Sequence, residues 1–152
     1  MSGEDNLLRL VEADEADDNY HLQDQVGFIL RKAHQRHVAI FASQIGDLTP
    51  PQFAALAKLH DIGETSQNQL GTLIAMDAAT VKGVIDRLKA RGLVEVSKHE
   101  VDKRRLLVNL TPQGREAIER LIPLARAITE ETLAPLTAKE TATFLRLLAK
   151  LA

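Results

Sequence analysis

The 152-residue chain has no cysteine, which excludes disulfide staples, thiolate zinc sites, cysteine nucleophiles and thiol-based redox sensing together. It has no run of about 18 consecutive apolar residues, so a membrane-spanning helix is not expected. Its first residues lack a basic stretch followed by an apolar run; a secretory leader is not expected either, and the cytoplasm is the default location. Also missing are a Gly-x-Ser-x-Gly elbow, a P-loop, a dinucleotide fingerprint and a metalloprotease helix, which together argue against an enzyme. No cofactor is implied. Internal repeats and low-complexity runs are absent. What is present is enough apolar residues, 45%, to bury a real core.

The net charge of −2 hides a segregation along the chain. Residues 1–24 carry eight acidic groups against Arg9, and the stretch from Glu12 to Asp18 reads as a mobile acidic tail. Residues 78–115 carry nine basic groups against four acidic ones, a local excess of +5. Local field attracts a polyanion where net charge does not.

Apolar residues at helical spacing (Leu22, Val26, Ile29, Leu30, Ala33, Ile40, Phe41) predict one long helix over about 20–45, ending near Gly46. Thr49-Pro50-Pro51-Gln52 is a strong helix start, and Phe53, Leu56, Ala57 and His60 form the expected buried stripe of the helix that follows. Ser66-Gln67-Asn68-Gln69 opens a short helix to about Met76, with Leu70, Leu73 and Ile74 expected inside. Asp77 caps the next, whose inner face is Val81, Val84, Ile85 and Leu88 and whose end is Arg91-Gly92. Two short capped helices joined by almost nothing are a helix-turn-helix pattern.

After Gly92 the period shifts from 3.6 to 2. Leu93, Val94 and Val96, then Leu106, Val108 and Leu110, flank a basic stretch over 97–105, which predicts a hairpin with a cationic tip. Thr111-Pro112 starts a long helix that Pro123 should kink, and Thr137-Ala138-Lys139-Glu140 starts a last one carrying Phe144, Leu145, Leu148 and Leu151. The fold class is mainly α with a small β-hairpin, a winged helix-turn-helix.

Such a unit suits a duplex, because a helix fills a major groove about 12 Å wide while the hairpin lies over the backbone or narrow groove beside it. The outward residues of the Asp77 helix include Ala78, Ala79, Thr80, Lys82, Gly83 and Arg87. Lys82 and Arg87 can donate to guanine edges or phosphate, Thr80 can bond either, and the alanines can touch a thymine methyl. Gly83 costs about 1 kcal/mol inside a helix, which suggests close approach of another backbone. Ser66, Gln67 and Asn68 on the first helix, and Lys98, Lys103, Arg104 and Arg105 on the hairpin, complete the DNA-binding set.

Asp102-Lys103-Arg104-Arg105 followed by Val108-Asn109-Leu110-Thr111 resembles the wing signature of the MarR family, and Thr80-Val81, Asp86-Arg87-Leu88 and Arg91-Gly92-Leu93-Val94 resemble its reading helix and exit. The match runs in register over about 48–121. The resemblance implies a ligand-responsive repressor, an intertwined homodimer held by its first and last two helices, with Asp102 orienting Arg104 toward the minor groove of a near-palindromic operator. Ala79, Lys82 and Gly83 depart from the commonest family residues, so the operator does not follow from the family. The implied parts are an acidic tail over 1–18, a dimerisation region over 19–47 and 112–152, and a DNA-binding lobe over 48–111.

Gln25-Val26-Gly27-Phe28-Ile29-Leu30-Arg31, with Lys82-Gly83, resembles the branch of this family that controls breakdown of aromatic acids or their thioesters. This implies a small aromatic-acid effector, with Arg31 as its carboxylate partner and His21, His34 and His37 as polar liners. Structural roles compete: Arg31 as a surface charge, and His34 and His37 as packed interface histidines. Two other readings use the same fold. His34 and His37, three apart on a helix, with His21 and His60, would accept zinc, and a helical interaction scaffold would bind no DNA at all.

Overall fold

The computed structural model describes residues 19–152, so the acidic tail over 1–18 lies outside the described residues. The contact pattern divides the chain between Gln35 and Arg36. A 3-10 turn at Leu22–Asp24 precedes helix α1 (Val26–Gln44), so the expected helix begins about six residues later than its apolar period suggested. Leu22, Val26, Ile29 and Leu30 are exposed. Ile40 and Phe41, near the helix end, are buried in the core of the second unit.

Within that unit run α2 (Pro50–Ile62), β1 (Thr65–Ser66), α3 (Gln67–Leu73), α4 (Ala78–Ala90), β2 (Val94–Lys98), β3 (Leu106–Leu110), α5 (Pro112–Leu133) and α6 (Ala138–Lys150). Every start has a side-chain reason. Thr49 and Gln52 form a reciprocal capping box, as do Thr137 and Glu140, while Ser66, Asp77 and Thr111 each accept the amide of the third residue on. Gly92, at φ +72°, supplies the left-handed residue that turns α4 into β2.

The inner face of α4 is the expected one: Val81, Val84, Ile85 and Leu88 are all buried. On α2 the stripe differs from expectation. Ala55, Leu56 and Leu59 are fully buried, whereas Phe53 and Ala57 are half-buried and His60 reaches Glu119 of α5 at 3.2 Å. The helix is packed by α5, α4, α3 and β3 at once, so its buried surface is wider than one stripe. Leu73, expected inside, is exposed; the buried positions of α3 are Leu70 and Gly71, because the seven-residue helix ends before Leu73 can turn under.

The hairpin is part of a three-stranded antiparallel sheet, order β1-β3-β2. Its outer strand, Thr65–Ser66, carries no apolar alternation in the sequence and exists by pairing Thr65 with Val108 and Ser66 with Leu107. This ties the start of α3 to the wing. Strand β2 runs to Lys98, paired with Leu106, so the tip narrows to residues 99–105. Helix α5 continues unbroken through Pro123. Gly114 in its first turn lies against the Leu93 carbonyl, which also accepts the amide of Thr111 at 3.1 Å. Helix α6 buries none of its residues: Phe144, Leu145 and Leu147 are exposed, as is Leu151 just beyond its end. Among the described residues no helix is long and apolar enough to cross a membrane.

Candidate nucleic-acid interface

Helices α3 and α4 and the wing enclose an open cleft of about 840 Å³, lined by Ser66, Gln67, Asn68, Gln69, Thr72, Lys82, Asp102, Arg104, Arg105 and Leu106. Seven of these were singled out from the sequence, and β1 is what brings the two groups together. Gln69 and Thr72 were missed. They lie on the outward face of α3, and the helical offset from Asn68 to Thr72 was the available signal, made visible by the Thr72 hydroxyl donating to the Asn68 carbonyl at 3.2 Å.

The Arg104 side chain is 97% exposed. One Asp102 carboxylate oxygen accepts the Arg104 amide at 3.2 Å and sits 3.8 Å from its Nε. The carboxylate thus holds the Arg104 backbone, while its contact with the guanidinium is long and in the open. Lys82 pairs with Asp86 one turn on, at 2.8 Å, in the open. So exposed a pair holds little energy, so Lys82 is not locked away from an anion.

Asp77 accepts the amide of Thr80 at 2.8 Å. That bond, then the bond with the Thr80 side chain, lowers the Asp77 pKa from its ordinary value. A depressed carboxyl pKa means the cap is whole above the ordinary carboxylate range and fails only as pH drops below it. The start of α4 is therefore insensitive to pH near neutrality. Thr80, expected to meet bases, has its hydroxyl engaged with the cap. Ser66 is similar: it is buried, and its oxygen accepts the Gln69 amide.

Ala78 and Ala79 are exposed on the first turn of α4, and Lys103 is exposed in the wing loop. Lys98 lines a second cleft of about 280 Å³ with Lys82, Asp86 and Lys89. Arg87 faces elsewhere, into a shallow cleft with Asp47, Thr49, Gln52 and Arg91. Among the described residues no backbone from outside α4 approaches Gly83, and an added Cβ there would meet Arg87 Nη1 at 3.7 Å. Within the described residues, a close backbone approach to a glycine occurs at Gly114.

Arg31 lies over the Phe28 ring at 5.6 Å, with Lys32 at 5.7 Å, while His21 and His34 are exposed. His37 Nδ1 lies 2.9 Å from the Thr132 hydroxyl, which gives its own proton to the Ile128 carbonyl. The proton between them therefore belongs to His37 Nδ1. Beside it, Arg36 donates to the Thr132 and Glu131 carbonyls at 2.7 and 3.0 Å, so Arg36 and His37 together finish the end of α5. Among the described residues no three His, Cys, Asp or Glu side chains are placed to hold a metal ion.

Residues 48–106 match the model of the MarR family. The HTH-type transcriptional repressor NicR of Pseudomonas putida is 44% identical over 134 residues, 87% of this chain and 85% of its own. The crystal structure of a probable transcriptional regulator from Pseudomonas aeruginosa superposes with a TM-score of 0.84 at 53% identity, covering 87% of this chain and all of that one. BpsR of Bordetella bronchiseptica, whose DNA binding is regulated by 6-hydroxynicotinic acid, superposes equally well at 45% identity, over 88% of this chain and 96% of its own. A winged helix-turn-helix with this register, and relatives that are regulators and not enzymes, make the conclusion direct: the chain belongs to the MarR family of transcriptional regulators.

Proposed function

We propose that the protein is a homodimeric repressor that holds a near-palindromic operator through α4 and the wing and releases it when a small aromatic carboxylate binds. The observation that carries this reading is the cleft in which Lys82, Arg104 and Arg105 converge with the amides of Gln67 and Asn68. Cations position the protein on phosphate, and amide side chains read base edges. The DNA-reading lobe is residues 48–111. Residues 19–47 and 112–152 form the dimerisation region, since the exposed apolar faces at Leu22–Leu30 and on α6 would each meet water in a lone chain. In the dimer two copies of α4 enter successive major grooves about 34 Å apart.

The test starts from a duplex selected out of a random pool. The logarithm of its affinity should fall linearly with log salt, since each neutralised phosphate releases counterions; a salt-independent association would leave only a scaffold. Lys82→Ala should cost about 1–3 kcal/mol on the selected duplex and less on a scrambled one, and an equal loss on both would reduce Lys82 to a phosphate contact. Arg87→Ala, which removes a cation outside that cleft, should cost the same on both duplexes, as loss of a phosphate contact does. Gly83→Ala should stabilise α4 by about 1 kcal/mol yet weaken operator binding, because the bare backbone is then needed by the DNA. Undiminished affinity would remove Gly83 from the interface.

Support for the effector class comes from BpsR, a relative at 45% identity regulated by 6-hydroxynicotinic acid. Arg31 is the carboxylate partner, with His21, His34 and His37 lining the site. Titrating the protein and its duplex with 6-hydroxynicotinate, nicotinate and benzoate should release DNA with at least one of them. Arg31→Ala should raise the concentration needed by about tenfold or more, the scale of one charge-assisted contact. If none of the acids releases DNA, the effector lies in another chemical class. To empty an operator the ligand must prefer the released state by several kcal/mol, so tight binding without release would also count against the scheme.

A further inference from the structure

The wing loop beyond the last ladder pair, Lys98 with Leu106, has to satisfy its backbone without strand partners. His99 opens it. Its amide donates to the Arg105 carbonyl at 2.9 Å, and its half-buried ring folds over the loop. Ring Nδ1 then lies 3.2 Å from the Val101 amide nitrogen and 3.1 Å from that of Asp102. Backbone amides only donate, so Nδ1 must present its lone pair and the ring proton must sit on Nε2. The same loop is closed by the Arg105 amide on the Asp102 carbonyl at 2.9 Å, and the Asp102 carboxylate accepts the Arg104 amide.

We propose that His99 is a positioning residue of the wing: through Nδ1 it holds the backbone at Val101 and Asp102, from which the Asp102 carboxylate sets the direction of Arg104. This rests on the wing reaching DNA as set out above. A protonated ring cannot do this work, since an N–H at Nδ1 would face two other N–H groups and both bonds would be lost. The charges facing the loop are Lys98, Glu100, Asp102, Lys103, Arg104 and Arg105 of the hairpin itself and, from α4 across the two clefts, Lys82, Asp86 and Lys89. A bound duplex adds phosphates. Because a cationic ring would also favour any DNA, the informative quantity is affinity for the selected duplex relative to a scrambled one.

His99→Asn offers Oδ1 where Nδ1 stands and cannot titrate, whereas His99→Leu removes the acceptor. At constant ionic strength and about pH 8, His99→Asn should keep the wild-type preference for the selected duplex over a scrambled one, because it keeps the acceptor. His99→Leu should lose about tenfold of that preference, the scale of leaving one long side chain unheld. Without DNA, the ring nitrogen resonances of wild type should show a bare Nδ1 and a protonated Nε2, and the Val101 and Asp102 amides should exchange faster in His99→Leu than in wild type or His99→Asn. A His99→Leu protein that discriminates like wild type, a His99→Asn protein that loses as much as His99→Leu, or the opposite tautomer would each overturn the proposal. If Arg104→Ala binds the operator normally, it is the wing reading that fails, and the tautomer and exchange results still decide whether His99 holds the loop.

Discussion

Gly114→Ala should be among the most damaging single substitutions in this protein, lowering stability by about 3 kcal/mol or more. An added Cβ would collide with the Leu93 carbonyl oxygen and fall 2.9 Å from its carbon, far inside contact distance, and both atoms are backbone. Neither can step aside cheaply. The Leu93 carbonyl is held by the Thr111 amide, and the Thr111 hydroxyl donates to the Gly92 carbonyl at 2.6 Å while accepting the Gly114 amide at 3.0 Å. Relief would require α5 to back away from the turn into β2, opening the core at Ile118, which is fully buried. Urea denaturation at fixed protein concentration measures this. A midpoint within error of wild type would mean that the helix start relaxes freely and that the close packing carries no energy.

Arg104→Ala should leave the fold intact and weaken operator binding more than any other single wing substitution. Its side chain is almost wholly exposed and its neighbour Asp102 is held independently by the loop, so nothing structural depends on the guanidinium. Each wing contact of this type contributes about 1–3 kcal/mol, and a dimer carries two, so the loss should be about 2–6 kcal/mol if they add. Charge alone accounts for little of it: a lysine at this position keeps the cation but not the planar fork, and should recover only part of the affinity. Equilibrium binding of Arg104→Ala and Arg104→Lys to the selected duplex measures both effects. Wild-type affinity for the alanine variant would take the wing out of the interface, and full recovery with lysine would mean that the fork has no directional role.

The helix starts were readable because a cap is a local event. Thr49, Ser66, Asp77, Thr111 and Thr137 each bond within three residues of themselves, and no distant partner can undo that. The core face of α4 was equally plain, since a helix packed on one side shows a clean period. Helix α2 was misread because several elements cover it, and coverage on more than one side erases the stripe. The third strand left no trace, as two residues are too few for alternation and their pairing belongs to β3. Gly83 and Gly114 make the same point from opposite sides: a glycine announces a possible close approach, but what approaches is set by chain segments far away in sequence.

Most of the candidate interface could be named residue by residue from the chain alone, because charge, capping and the turn after Gly92 are written in short windows. Its shape could not. That Gln69 and Thr72 share a cleft with Arg104, that Arg87 looks away from it, and that the ring of His99 reaches across the loop to two amides are consequences of how helices, sheet and loop settle against one another. Contacts between residues distant in sequence depend on the balance of many packed surfaces at once, and no local pattern encodes that balance.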